Sequence, residues 1–124
     1  MIHLDTSFLI RAMVRGSEEA GQLQRLLEAG ERLSMSAVSW AEFCCGPADQ
    51  ATIAVAGRLV GSPVPFAGRH ARTAAALFNR TGRRRGSFVD CMIAATAIEA
   101  GAAIATSNPA DFGRFEDAGL RLST

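Results

Sequence analysis

Short apolar runs alternate along this chain with longer segments whose apolar positions have helical spacing. Residues 2–5, 32–35 and 102–106 have the length and continuity of buried strands, and residues 64–66 and 120–122 are possible brief strands. Apolar side chains three and four positions apart predict helices between these runs, most clearly at residues 18–29, 69–80 and 88–100. Strand-length runs separated by helices indicate a parallel sheet covered on both faces. The pattern therefore predicts an α/β fold.

Local signals place several helix ends and faces. Ser17 is a plausible N-cap for the second helix, and Gly30 is a suitable stop for it. In that helix Leu23, Leu26 and Leu27 form one apolar face. In the alanine-rich segment 69–80, the inward positions are expected to be Ala71, Ala74, Ala75 and Phe78.

Composition limits the kind of protein this is. The 124 residues contain 13 basic side chains, all of them arginine, against 12 acidic ones, for a formal net charge of +1. Such a balance excludes a polybasic protein that holds nucleic acid by bulk charge, so any contact with RNA or DNA needs a local site. No repeat or flexible linker divides the chain, and we expect one domain over residues 1–124.

The chain shows no sign of a membrane or secretory segment. No apolar run approaches the length of a membrane span, and the first residues lack the basic start and long apolar stretch of a signal peptide. Cys44, Cys45 and Cys91 show no spacing typical of a zinc site or a redox pair. A cytoplasmic protein is the simplest expectation.

Acidic side chains fall at the ends of predicted strands. Asp5 ends the first strand, Asp90 lies in the first turn of a helix, and Asn108 and Asp111 follow the strand at 102–106. In parallel α/β sheets, ligands bind beyond the carboxyl ends of the strands, so these separated segments are expected to meet at one edge. Glu42 lies inside a helix between apolar neighbours, and such an acid faces either solvent or a site.

A cluster of this kind needs a counter-charge. Two carboxylates about 5 Å apart repel by about 3 kcal/mol at an effective dielectric constant near 20, so a bare group of three or four would protonate or oppose folding. Oxygen ligands select hard cations, which indicates Mg²⁺ or Mn²⁺. The reaction that fits is metal-assisted attack of water on a phosphodiester. Each acid alone also has a structural explanation: Asp5 and Asp111 as helix caps, Asp90 as a favourable charge near a helix N-terminus.

The residues that carry these features also carry a family resemblance. The opening IHLDTSFLI, the segment SAVSWAEF and the block FVDCMIAATAIEAGAAIATSNPADF, in that order, resemble PIN-domain proteins and are most similar to the VapC-type toxins of bacterial toxin–antitoxin pairs. The resemblance extends over essentially the whole chain. It implies a three-layer α/β/α PIN-like domain with a short parallel sheet flanked by helices.

The resemblance also implies an activity and a set of site residues. It implies a Mg²⁺-dependent ribonuclease in which Asp5, Glu42 and Asp90 match the three core acidic positions and bind metal. Asn108 stands where many relatives have an acid, and either Asn108 or Asp111 fills the fourth position. Two hydroxyls, those of Thr6 and Thr106, resemble those that orient the carboxylates or water.

The resemblance further implies a cognate antitoxin, an RNA substrate and a homodimer that forms a heterotetramer or larger assembly with the antitoxin. Arg83, Arg84 and Arg85 precede Asp90 in a glycine-bounded loop that would hold RNA phosphates or would simply be solvated. Trp40 and Phe43 would stack on bases or belong to the core.

Three other functions remain open. They are a PIN nuclease of RNA maturation without an antitoxin, a non-catalytic PIN-like binding module, and a HAD-type phosphatase. The last is disfavoured because Asp5-Thr6-Ser7 lacks the second aspartate of a D-x-D motif.

Overall fold

The computed structural model describes residues 1–123 and forms a four-stranded parallel sheet between two layers of helices. The strands are β1 (Ile2–Leu4), β2 (Leu33–Ser34), β3 (Ala103–Ala105) and β4 (Arg121–Leu122). The helices are α1 (Thr6–Ala12), α2 (Glu18–Glu28), α3 (Ala37–Cys44), α4 (Gln50–Val60), α5 (Gly68–Arg80), α6 (Phe88–Ala100) and α7 (Pro109–Gly113), with a 3₁₀ turn at Glu116–Ala118. None of the helices within residues 1–123 is long and apolar enough to cross a membrane.

The sheet order β2-β1-β3-β4 places β1 and β3 side by side at the centre. Leu4 is paired with Ala105 in the parallel register, so both strands end at the same level. All three residues of β1 are buried, as are all three of β3, because helices cover both faces of a parallel sheet. Residues 64–66 do not form a strand; Val64 makes a single bridge to Ser36.

Two hydrophobic clusters lie on opposite faces of this sheet. Since side chains alternate along a strand, Ile2 and Leu4 join one cluster with α1, α2, α3 and α4, while Ile104 joins the other with α5, α6 and α7. This arrangement confirms the three-layer α/β/α prediction. His3 is buried on the second face, and burial lowers its pKa to about 4.

The predicted caps of the second helix are confirmed. Ser17 Oγ accepts a hydrogen bond from the Ala20 amide at 3.0 Å, and Gly30 follows the helix with a φ of +76°, a conformation that glycine adopts without strain. The predicted apolar face is only partly right, since Leu27 is 46% exposed.

The inward face of α5 differs from the prediction. His70, Ala74 and Leu77 are its buried residues, whereas Ala71 and Ala75 are exposed. His70 Nδ1 accepts a hydrogen bond from the Ala67 amide at 2.8 Å and so caps the start of the helix. Alanine is compatible with a buried or an exposed position, whereas Leu77 and the capping His70 favour the buried side. The helix is therefore rotated from the expected orientation.

Candidate active site

Four segments deliver polar side chains to the carboxyl edge of the sheet. Asp5 follows β1, Thr106 and Asn108 follow β3, Asp90 lies in the first turn of α6, and Glu42 lies on α3. The Asp5 amide donates to the Ala105 carbonyl at 2.9 Å, which ties the ends of the two central strands together. The side chains surround a cleft of about 260 Å³ that is lined by Asp5, Thr6, Ser7, Ile10, Glu42, Asp90, Asn108 and Phe112.

Asp5 is the most buried carboxylate of the cleft, with 5% of its surface exposed. Its Oδ2 atom accepts hydrogen bonds from Ser7 Oγ at 2.7 Å and from Thr106 Oγ1 at 2.8 Å. Asp5 occupies the N-cap position of α1, but its side chain makes no capping hydrogen bond. The buried Asp5 carboxylate therefore faces the cleft and does not cap the helix. The two hydroxyls fix the position of Oδ2, whereas Oδ1 has no hydrogen-bond donor within residues 1–123.

The hydroxyls on Asp5 are themselves held by the loop that follows β3. The Ser107 amide donates to Ser7 Oγ at 3.2 Å, and the Asn108 amide donates to Thr106 Oγ1 at 3.0 Å. Ser107 Oγ in turn donates to Glu19 Oε2 at 3.0 Å. Neither Ser7 nor Glu19 was predicted to belong to this network. In the sequence, Glu19 cannot be distinguished from any other acid in the first turn of a helix.

Thr6 and Glu42 form a second hydrogen-bonded pair. Thr6 Oγ1 lies 3.0 Å from Glu42 Oε1 and 3.1 Å from the Ser39 carbonyl oxygen, so its single proton is shared between the two acceptors. Glu42 is exposed and therefore lies at the outer wall of the cleft. Thr6 orients Glu42, whereas Thr106 orients Asp5.

Asp90 is the carboxylate whose environment is most perturbed. Its pKa is raised to about 6, first by desolvation and then by the negative charges of Asp5, Asp111 and Glu42, while Arg114 acts in the opposite direction. Arg114 Nη2 lies 3.6 Å from Asp90 Oδ2, a loose ion pair that offsets only part of this repulsion. The ionised form of Asp90 is therefore destabilised chiefly by burial and further by the neighbouring carboxylates, a cost that a bound cation would offset.

Of the two candidates for the fourth position, Asn108 lines the cleft and Asp111 does not. Both residues are exposed: Asn108 is the N-cap of α7, and Asp111 lies in the first turn of that helix. Asp111 still acts on Asp90 through its charge.

The donor set fits a hard divalent cation. The candidate ligands are carboxylate and amide oxygens, and their excess negative charge favours a cation in the cleft. Within residues 1–123, no three His, Cys, Asp or Glu side chains lie close enough together to hold one ion jointly. A hard cation held here would take one or two of these carboxylates and complete its coordination with water.

A family model for the PIN domain matches residues 2–118. The chain belongs to the PIN-domain family. No curated protein sequence matches the chain significantly. The family match includes every residue of the cleft, from Asp5 to Phe112.

Solved structures with a similar fold include toxin–antitoxin complexes. VapBC2 from Rickettsia felis, bound to a DNA fragment from its promoter, has a TM-score of 0.76 and 19% identity over 99% of this chain and 98% of that chain. VapBC-1 from nontypeable Haemophilus influenzae has a TM-score of 0.74 and 24% identity over 99% and 97%. VapC20 from Mycobacterium tuberculosis, a toxin that cleaves the sarcin–ricin loop, has a TM-score of 0.67 and 21% identity over 97% and 96%. At these identities the similarity establishes a shared PIN fold.

The two aromatics considered for base stacking belong to the core of this PIN domain. Phe43 is fully buried, and Trp40 packs beside it with ring centroids 5.6 Å apart. Arg83, Arg84 and Arg85 lie exposed in the loop between α5 and α6, immediately before the helix that carries Asp90.

Proposed function

We propose that this PIN domain is a Mg²⁺-dependent endoribonuclease that acts in the cytoplasm as the toxin of a toxin–antitoxin pair, with Mn²⁺ as a possible substitute for Mg²⁺. The observation that carries the proposal is the convergence of Asp5, Glu42 and Asp90 on one cleft, where burial and the neighbouring carboxylates raise the pKa of Asp90. The fold shared with VapC20 and with VapBC complexes supports RNA as the substrate and an antitoxin as the partner.

Asp5 and Asp90 would hold the metal, with Glu42 at the outer wall of the cleft. The bound cation supplies a polarised water and neutralises charge on the phosphodiester. Ser7 and Thr106 keep one oxygen of Asp5 occupied, which leaves the other for the cleft. Asn108 contributes an amide that donates as well as accepts hydrogen bonds, so it can contact a phosphate oxygen that a carboxylate would repel.

The test is hydrolysis of total RNA by the purified protein with and without Mg²⁺, followed by mapping of the cleaved ends. Wild type is expected to cut at defined positions only with the metal, and Asp5→Asn and Asp90→Asn are expected to be inactive. Asp117→Asn, at an exposed aspartate outside the cleft, is the matched control and should cut normally. Undegraded RNA with all proteins in Mg²⁺ and in Mn²⁺ would support the non-catalytic binding module instead.

The proposed antitoxin has a suitable surface next to the cleft. An apolar groove of about 200 Å³ is lined by residues that include Ile10, Met13, Val14 and Phe43, and Ile10 also lines the acidic cleft. A partner segment with apolar side chains would fill the groove, and a basic side chain at its end would reach the carboxylates and block them. This charge complementarity is the reason to expect inhibition by the partner.

The partner claim has its own experiment. Co-expression with the product of a small adjacent reading frame should relieve toxicity and yield a co-purifying complex, in which we expect a homodimer of this chain. Val14→Asp should weaken that complex, whereas Leu27→Asp, at a similarly exposed apolar residue on α2, should not. Ribonuclease activity without such a reading frame would favour the RNA-maturation nuclease.

A further inference from the structure

The end of the α5–α6 hairpin exposes an aromatic side chain beside a group of arginines. Phe88 is 45% exposed, although most of the chain's phenylalanines are buried. Its ring packs edge-to-face against Phe78 at a centroid distance of 5.1 Å, which fixes its orientation. The Arg83 guanidinium lies 5.2 Å from the centroid of the Phe78 ring.

The loop before Phe88 is strongly basic and has a defined shape. Residues 79–89 include four arginines and no acid. Gly82 and Gly86 have φ angles of +86° and +81°, which other residues rarely adopt, and Arg83 also lies in the left-handed region at +54°. The Arg83 amide donates to the Phe78 carbonyl at 2.9 Å, and the Ser87 hydroxyl donates to the Arg84 carbonyl at 2.7 Å. The first hydrogen bond joins the loop to α5, and the second lies within the loop just before α6.

This surface adjoins the cleft through α6. Phe88 is the first residue of that helix and Asp90 the third, so their backbone positions differ by about 3 Å along the helix axis and their side chains leave the helix about 200° apart. Phe88 and the cleft therefore lie on different sides of the same helix end, and an RNA strand with a phosphate at Asp90 would reach Phe88 by crossing the N-terminus of α6.

We propose that Phe88 together with Arg83, Arg84 and Arg85 binds the single-stranded RNA nucleotides that flank the cleaved bond. The inference rests on the proposed ribonuclease function and adds the surface that holds its substrate. Phe88 stacks on a base, and the arginines contact the adjacent phosphates, which is the combination that single-stranded nucleic acid requires.

A second copy of the chain fits this surface less well. A two-fold interface brings the same patch of both subunits together, so the arginine loops would face each other without acids from residues 79–89 to neutralise them. RNA supplies the opposite charge and a flat ring in the same ligand.

Binding is measured separately from cleavage so that the two claims can fail independently. The Asp5→Asn protein in Mg²⁺ is titrated against a short fluorescent oligouridine and against an RNA duplex, with fluorescence anisotropy as the readout. In this background, Phe88→Ala and Phe88→Leu should each weaken oligouridine binding about tenfold, whereas Phe88→Trp should preserve it. Phe88→Leu keeps an apolar contact with Phe78 and controls for loss of packing. Duplex binding should be unaffected by all three.

The arginines have a different signature. Arg84→Ala should reduce the slope of log affinity against log salt by about 0.7, whereas Phe88→Leu should leave that slope unchanged. Equal oligouridine binding by the parent protein and Phe88→Leu would overturn the proposal. Unchanged RNA binding with a dimer that dissociates in Phe88→Leu, measured by light scattering, would assign the surface to a chain–chain interface instead. RNA binding that depends on Phe88, together with a wild-type protein that cuts no RNA, would uphold this surface as a binding site for single-stranded RNA and refute the ribonuclease function.

Discussion

Replacement of Asp90 by asparagine should stabilise the metal-free protein. The Asp90 pKa is raised from 3.8 to about 6 by burial and by the neighbouring carboxylates. The folded state therefore binds a proton more tightly than the unfolded chain does. Stability falls as pH rises from about 3.8 to about 6 and stays at the lower level above that range. Asparagine has a similar shape and no charge, so it removes this loss.

The size of the expected gain in stability follows from the pKa shift of Asp90. About two pKa units correspond to about 3 kcal/mol, and the net shift already includes the attraction of Arg114. The Asp90 side chain is 31% exposed, so solvent screening reduces the expected gain to about 1–2 kcal/mol. For a domain of this length, that gain raises the melting temperature by about 5 °C.

Thermal unfolding followed by circular dichroism in EDTA measures this gain. Asp90→Asn should melt above wild type at about pH 7.5, and the two should converge near pH 4 as Asp90 becomes protonated in the folded wild type. Asp117→Asn is the control and should match wild type at both values. A melting temperature for Asp90→Asn at or below that of wild type at the higher pH would refute the inference that the ionised Asp90 carboxylate destabilises the fold.

Three further predictions concern metal binding, the support of Asp5 and helix packing. Saturating Mg²⁺ should raise the melting temperature of wild type but scarcely that of Asp5→Asn or Asp90→Asn, because a ligand stabilises the folded state that binds it. Equal shifts in all three proteins would contradict the metal site. Thr106→Val should lower the RNA cleavage rate about tenfold by removing one hydrogen bond to Asp5, and Thr106→Ser should restore it; the rates are compared in single-turnover assays. Ala74→Val should lower the free energy of unfolding, measured with denaturant, by about 1–3 kcal/mol, whereas Ala75→Val should change it by less than about 0.5 kcal/mol. Equal decreases for the two variants would argue against the observed rotation of α5.

Much of the fold could be read from local patterns. Ser17 and Gly30 mark their helix ends because capping depends on a few neighbouring residues. The strand runs are continuous because both faces of the sheet are covered, and the alternation of strands with helices was sufficient to predict a parallel sheet flanked by helices. The buried side of α5 was not predictable in this way, since a run of alanines does not indicate which side of the helix faces the core.

The candidate site was partly predictable for a related reason. Asp5, Asp90 and Asn108 follow local signals at strand and helix ends, and the topology of a parallel sheet brings such ends together. The residues that support them have no local signal. The Ser107–Glu19 hydrogen bond joins positions 88 residues apart, and Arg114 becomes the counter-ion of Asp90 only when α7 packs against α6.

The sequence alone determined the class of fold, the family resemblance and the acidic residues that the resemblance implies. Only the tertiary structure decided that β1 and β3 are neighbours, which allows Thr106 to bond to Asp5 across the ends of two strands. It also placed Asn108 rather than Asp111 on the cleft and left Phe88 exposed while Trp40 and Phe43 packed in the core. The physical reason is that hydrogen-bonding and capping preferences act over a few residues, whereas burial and the pKa of a carboxylate depend on every group that the fold brings near it.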